Sequence, residues 1–159
     1  MSELRPRQFD HLYLATDHAG FALKEVVRTW LLGEDFAVTD VGAHQFDPDD
    51  DFVDYIQKAA QAVGVAESSE RIAAIIFGGS GQGEAMAANR IPGVRAAVYY
   101  GLTSEIVPLS RVHNNANVLS LGARFVADDE AKAVVWEWLH TPTSTDEKYH
   151  RRNAKLDHF

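Results

Sequence analysis

Two spacings of hydrophobic residues alternate along the chain. Short apolar runs predict five β-strands, at residues 11–15, 36–41, 71–77, 94–99 and 118–121. The segment after the first run has the i, i+3, i+4, i+7, i+8 stripe of a helix with one buried face, formed by Leu23, Val26, Val27, Trp30 and Leu31. Further helices are predicted around residues 56–63, 84–90, 104–112 and 131–139. Strands therefore alternate with helices along most of the chain.

The strand predicted at residues 71–77 is apolar at almost every position. A strand that is buried on both faces is typical of a parallel sheet covered by helices on both sides. We therefore predict one α/β domain over residues 1–159, with a three-layer α/β/α (Rossmann-like) fold and a five-stranded parallel sheet. Ser144 and Glu147 have the spacing of a capping box and predict a polar helical tail from about residue 144. Ligands of such folds bind at the carboxyl ends of the strands.

The composition excludes several classes of function. The net charge of −8 and the lack of a basic cluster argue against a nucleic-acid partner. The chain has no cysteine, which excludes a disulfide framework, a thiolate zinc site and a cysteine nucleophile. The first nine residues lack the apolar core of a signal peptide, and no run reaches the roughly 18 apolar residues of a membrane span. We expect a cytoplasmic protein with a small-molecule partner and no membrane contact.

A glycine-rich turn, Gly78-Gly79-Ser80-Gly81-Gln82-Gly83-Glu84, follows the most buried strand. A phosphate-binding P-loop would place lysine at position 84, and a dinucleotide-binding turn would place glycine or alanine there. A hydrolase nucleophile elbow centred on Ser80 would need glycine at position 82. All three motifs therefore fail.

A carboxylate beside a turn rich in N–H groups suits proton abstraction next to a carbonyl. Glu84 would be the base, and Ser80 would hydrogen-bond the reacting oxygens. The N–H groups of Gly79, Gly81 and Gly83 would hold an enediolate oxygen. The turn alone is equally compatible with a structural role, in which Glu84 only complements a helix dipole and the glycines only pack.

An acidic segment, with Asp residues at positions 47, 49, 50, 51 and 54, suggests a cation site at first sight. The calcium-loop pattern fails because Phe52 stands where glycine is required and Lys58 where glutamate is required. We therefore expect a solvated acidic loop, and we expect neither a metal ion nor another cofactor.

Further sequence blocks accompany the glycine turn. Residues 16–24 read TDHAGFALK, residues 87–95 read AANRIPGVR, residues 113–117 read HNNAN, and residues 122–124 read GAR. In this order and spacing the chain resembles the ribose-5-phosphate isomerase type B family, which includes the galactose-6-phosphate isomerase subunits. The resemblance covers roughly residues 10–150.

The resemblance implies a metal-free interconversion of aldose and ketose phosphates through an enediol. One branch of the family uses a cysteine base at the position of Gly78, whereas the other has glycine there and a glutamate base that matches Glu84. Ser80 matches the residue that contacts the reacting oxygens. The resemblance also implies homodimers, or dimers of dimers, with active sites at the subunit interface.

The remaining site residues come from the same resemblance. Asp17 and His18 match residues near the ring oxygen and the phosphate, and Asp17 or His113 would open the sugar ring. Asn114 matches an anion-hole asparagine, and Arg124 belongs to the last block and is expected to bind substrate.

The C-terminal segment departs from the family pattern. The family places two arginines, four residues apart, around a histidine. If His150 is that histidine, the two positions hold Tyr149 and Asn153. His150, Arg151 and Arg152 are then the candidate phosphate-binding residues. Alternatively, the substrate is a tetrose phosphate, a hexose phosphate or an unphosphorylated aldose, or the protein is a noncatalytic sugar- or nucleotide-binding module.

Overall fold

The computed structural model describes residues 5–159. Its one parallel sheet has the strand order β2-β1-β3-β5-β4 and consists of β1 (His11–Thr16), β2 (Ala37–Asp40), β3 (Ile72–Gly78), β4 (Ala96–Tyr99) and β5 (Val118–Gly122). Within the described residues the α-helices are α1 (Phe21–Gly33), α2 (Phe52–Gly64), α3 (Gln82–Ala88), α4 (Ile106–Asn114), α5 (Asp128–His140) and α6 (Glu147–Asp157). The predicted three-layer fold with a five-stranded parallel sheet is confirmed.

The core lies on both faces of the sheet because its central strands are apolar on both sides. On β3, Ala73, Ile75 and Phe77 pack against the buried stripes of α1, α4 and α5. The alternate residues Ala74 and Ile76 pack against α2 and α3. This alternation follows from the two-residue period of a strand.

Some boundaries differ from the sequence prediction. β2 and β4 are shorter than predicted, and α3 begins two residues earlier, at Gln82. The predicted capping box at Ser144 is wrong. Asp146 caps α6 by accepting a hydrogen bond from the Lys148 N–H (3.0 Å), and the Ser144 hydroxyl instead accepts from the Asp146 N–H (3.1 Å). An aspartate directly before the helix can reach the first free N–H groups, whereas Ser144 lies too far upstream.

The strand order creates a crevice at the carboxyl edge of the sheet. β1 and β3 are neighbours, but the chain leaves β1 toward the α1 face and leaves β3 toward the α3 face. Such a divergence is where open α/β sheets bind ligands. The turn after β1 and the glycine turn after β3 flank this crevice.

No helix among residues 5–159 combines the length and the apolar character needed to cross a membrane.

Candidate active site

The glycine turn has a conformation that requires glycine at position 81. Gly81 precedes α3 with a φ angle of +77°, in the left-handed region. A Cβ atom there would also lie 3.0 Å from the Ser120 hydroxyl oxygen, which donates a 2.7 Å hydrogen bond to the Gly81 carbonyl. Ser80 is exposed, and its hydroxyl oxygen accepts from the Gln82 N–H at 3.3 Å. The turn therefore presents the Ser80 side chain outward from a hydrogen-bonded main chain.

Glu84 lies in the first turn of α3 and is only 5% exposed. Its carboxyl group folds back over Gly78, so closely that a Cβ atom on Gly78 would overlap it. Burial raises the pKa of Glu84, and the nearby Asp17 charge raises it further, whereas a hydrogen bond to its own backbone acts in the opposite direction. The Glu84 carboxylate can therefore lie here only because residue 78 has no side chain.

Arg124 follows β5 and lies beside the glycine turn. The main chains run together there, because Ala123 and Arg124 donate N–H hydrogen bonds of 2.8 and 3.1 Å to the carbonyls of Gly78 and Gly79. The Arg124 guanidinium lies over Gly79, where a Cβ atom would be 3.1 Å from it. At Gly83 the neighbour is the Phe52 ring, 3.0 Å from an added Cβ. The turn is therefore flanked by one cation and one aromatic ring.

Asp17 and His18 follow β1 on the other side of the crevice. Asp17 is 7% exposed and accepts a 3.0 Å hydrogen bond from the Ala19 N–H, which caps the short 3-10 turn His18–Gly20. The imidazole Nδ1 of His18 lies 3.8 Å from a carboxylate oxygen of Asp17 and 2.7 Å from Asp50 Oδ1. The hydrogen bond to Asp50 and the charge of Asp17 raise the pKa of His18.

Asp50 corrects the expectation of a fully solvated acidic loop. Its side chain is only 5% exposed, and its Oδ1 accepts from both the backbone N–H and the ring nitrogen of His18. The neighbouring residues Asp47, Asp49 and Asp51 are exposed, as expected. In a run of similar residues, the sequence does not indicate which side chain turns inward.

His113 and Asn114 lie far from Glu84 in the fold. They end α4, which runs from the carboxyl end of β4 to the amino end of β5. Glu84, by contrast, belongs to the turn at the carboxyl end of β3. One chain therefore places these two sets of predicted site residues at opposite edges of its sheet.

The C-terminal helix joins the second set. The Tyr149 ring stacks on the His113 ring, with 4.6 Å between centroids, and the Asn153 side-chain amide donates to the His113 carbonyl at 3.1 Å. His150, Arg151 and Arg152 are exposed, and the Arg152 guanidinium lies 5.7 Å from the Tyr149 ring centre. α6 thus packs against His113 through Tyr149 and Asn153, with the Arg152 guanidinium near the stacked rings.

Comparison with known proteins gives the same assignment as the sequence blocks. The family model described as Ribose/Galactose Isomerase matches residues 12–156. The chain belongs to this family. Ribose-5-phosphate isomerase B of Mycolicibacterium paratuberculosis is 38% identical over 141 residues, which cover 89% of this chain and 86% of that protein.

Two further members of the family are informative. The crystal structure of ribose-5-phosphate isomerase B from Mycoplasma genitalium, with bound ribulose-5-phosphate, superposes with a TM-score of 0.85 at 34% identity and covers 93% of this chain and 94% of that chain. D-erythrulose-4-phosphate isomerase 2 of Mycolicibacterium smegmatis is 35% identical over 130 residues, which cover 80% of this chain and 82% of that protein. The family thus includes relatives named for a pentose phosphate and for a tetrose phosphate.

Three potential metal-binding atoms lie within 4.8 Å of one another, one each from Asp17, His18 and Asp50. The His18 Nδ1 is already hydrogen-bonded to Asp50, and a ring nitrogen that carries a proton is not free to bind a metal ion. We therefore interpret the three residues as a hydrogen-bonded group.

Two buried cations support the site and were not identified from the sequence. Lys24 is completely buried and donates to Asp40 Oδ2 (2.5 Å) and to the Ala43 carbonyl (2.7 Å), at the start of the loop that carries Asp50. Arg111 is buried beneath α4 and donates to the Ala116 carbonyl at 2.6 Å, and burial lowers its pKa to about 10. Lys24 lies three residues before Val27 in α1, and Arg111 lies four residues after Val107 in α4, so both are on the buried face of their helix. This spacing is the sequence signal that could have identified them.

Proposed function

We propose that this family member is an aldose–ketose isomerase that interconverts ribose 5-phosphate and ribulose 5-phosphate, with Glu84 as the base. The observation that carries the proposal is the buried Glu84 carboxylate beside the glycine turn. A base that removes a carbon-bound proton works best when its pKa is close to the working pH. Burial raises the pKa of Glu84 in that direction.

The proposed reaction moves one proton between adjacent carbons. Asp17 or His113 first helps to open the sugar ring. Glu84 takes the proton from C2 of the aldose, and the electrons of that bond form the enediolate. The proton then returns to C1 while the C2 hydroxyl gives its own proton to the C1 oxygen, so that C2 becomes the ketone carbon and C1 carries the new hydroxyl group. Ser80 and the N–H groups of Gly79, Gly81 and Gly83 stabilise the negative oxygen, and a single such donor is typically worth ~10²–10³ in rate.

The second half of the proposed site comes from another copy of the chain. His113, Asn114 and the basic residues of α6 are at the opposite edge of the sheet from Glu84, so one chain does not bring them to the same sugar. A homodimer would complete two equivalent sites, because each copy would offer both edges. Arg151 and Arg152 of one copy, together with Arg124 beside the glycine turn of the other, then supply the positive charge for the phosphate, and His150 offers a further hydrogen bond. Cytoplasmic localisation is part of the same proposal.

A tetrose phosphate is the second candidate substrate. The observation that favours it is the similarity to the D-erythrulose-4-phosphate isomerase, together with the Tyr149 ring beside His113, where it would occupy space near the phosphate group. A shorter sugar would leave room for this ring.

A coupled assay on ribose 5-phosphate tests the proposal, with erythrose 4-phosphate, allose 6-phosphate and free ribose in parallel. We expect turnover of ribose 5-phosphate and, in deuterated water, incorporation of solvent deuterium into the product. Glu84→Gln should lower kcat by ~10²–10⁴ while the variant still binds ribulose 5-phosphate. Turnover of erythrose 4-phosphate alone would establish the second candidate. Full activity of Glu84→Gln would refute the assigned base, and binding without turnover of any of the four sugars would favour a noncatalytic module.

A further inference from the structure

Asp50 is a carboxylate that the reaction described above does not use. It is the only one of the four acidic residues at positions 47, 49, 50 and 51 whose side chain turns into the protein. Its Oδ1 accepts two hydrogen bonds from the same residue, His18. One comes from the backbone N–H (3.0 Å) and the other joins the ring Nδ1 (2.7 Å). Asp50 therefore holds both the main chain and the ring of His18.

This contact determines which atom of His18 is available to a ligand. Because Nδ1 is engaged by the carboxylate, Nε2 is the free ring nitrogen. When Nδ1 is hydrogen-bonded to a carboxylate it carries a proton, and an imidazole protonated on both nitrogens is a cation with two donors. The ring is 28% exposed and the Phe46 ring packs edge-on against it at 6.2 Å. The orientation of the ring is thus held from two sides.

The second carboxylate oxygen of Asp50 makes a positive charge on His18 more favourable. Within residues 5–159, Oδ2 is buried and has no hydrogen-bond partner. A buried carboxylate without full compensation is costly, so a positive charge on His18 stabilises it. The other charged groups that influence His18 are Asp17, which favours the charged ring, and Arg124, which disfavours it. Asp50 is the largest of these influences and the one in direct contact.

We propose that Asp50 is a positioning residue that holds His18 as a cation, with its free Nε2–H directed to an anionic oxygen of the sugar phosphate. The inference rests on the proposed function, because it assigns a task to Asp50 in the binding of that substrate. It predicts that Asp50 acts on substrate binding through the charge of His18 and leaves the proton transfer by Glu84 intact.

The direct test is a pH titration of the His18 ring signals by NMR in the ligand-free protein. Asp50→Asn keeps the size of the side chain and an acceptor for the His18 backbone N–H, so the fold is expected to persist. Asp49→Asn is the matched control. It removes the same charge at the neighbouring position, where the side chain is exposed. The titration midpoint of His18 should move to lower pH in Asp50→Asn and by much less in Asp49→Asn. Equal midpoints in the two variants would overturn the inference.

Kinetics test the consequence for the substrate. With ribose 5-phosphate, Asp50→Asn should raise KM by roughly five- to tenfold and move the alkaline limb of kcat/KM to lower pH, with kcat within about twofold, as expected for the loss of a charge-assisted hydrogen bond. In a His18→Gln background the same substitution should have little further effect on KM. A lower kcat at unchanged KM, or an equally large rise in KM in the His18→Gln background, would overturn the inference about Asp50. Lack of turnover by the unmodified protein would refute the proposed function instead, while the NMR titration would still decide the role of Asp50.

Discussion

The carboxyl edge and the amino edge of the sheet carry the two halves of the proposed site, and they are built in opposite ways. At the carboxyl edge Asp17 and Glu84 are buried and are held by turns of the main chain. At the amino edge His113 is partly exposed, and a stacked Tyr149 ring and a hydrogen bond from Asn153 hold it against α6.

The difference indicates that Glu84 and α6 serve different steps, namely proton transfer and phosphate binding. A base of this kind works better with a raised pKa, and burial is the main cause that raises the pKa of Glu84. The charge that attracts a phosphate group is useful in a solvated, adaptable position, as on the exposed face of α6. We therefore expect changes that displace Glu84 to act mainly on kcat and changes in α6 to act mainly on KM.

The largest effect should come from Gly78→Ala. The added methyl group would overlap the Glu84 carboxylate and displace it from the crevice. We expect kcat to fall by ~10²–10⁴, comparable to loss of the base itself. Gly33→Ala is the matched control, because nothing lies within 4 Å of a Cβ atom there, at the exposed end of α1. A Gly78→Ala variant that folds and retains kcat within about tenfold would contradict the assigned position of the base.

A smaller, pH-dependent effect follows from the raised pKa of Glu84. Glu84 must be ionised to accept a proton, so kcat should fall about tenfold per pH unit below its pKa. The sign for stability is opposite. A folded-state pKa above the unfolded value means that protonation favours the fold, and this contribution is lost as the pH rises.

The stability of Glu84→Gln measures this directly. The variant lacks the buried charge, so its free energy of unfolding should exceed that of the parent protein increasingly from acidic to neutral pH, as read from urea denaturation. A difference that does not change with pH would mean that burial does not raise the pKa of this carboxyl group.

The smallest effect should come from the amino edge. Tyr149→Ala removes the ring that stacks on His113, and we expect KM for ribose 5-phosphate to change by roughly three- to tenfold with kcat within about twofold. Tyr149→Phe keeps the ring and should resemble the parent protein. If Tyr149→Ala alters kcat more than KM, the proposed division between Glu84 and α6 is wrong.

Much of the fold could be predicted because its signals are periodic and local. The apolar strands and the striped helices identify the layers, and the parallel sheet follows from β3 being apolar on both faces. The predicted capping box was wrong because Ser144 and Asp146 are both good capping residues, and only the residue at which α6 begins decides between them.

The sequence predicted a set of site residues but not their geometry. Motif spacing predicted Glu84 as the base, but only the folded turn brings its carboxyl group over Gly78. Asp50 was missed because the five aspartates of this segment look alike in sequence, and the contact with His18 spans 32 positions of the chain. The roles assigned to the site residues stay predictions until the variants are measured.

The claim that two copies build each site is tested most directly by mixing two inactive variants. Glu84→Gln and His113→Asn are each expected to have little activity. When they are unfolded together and refolded in equal amounts, half of the dimers should be mixed, and each mixed dimer should contain one intact site and one doubly altered site. We expect recovery of about a quarter of the activity of the unmodified protein. No recovery above the two separate variants, under conditions that restore the unmodified enzyme, would contradict it.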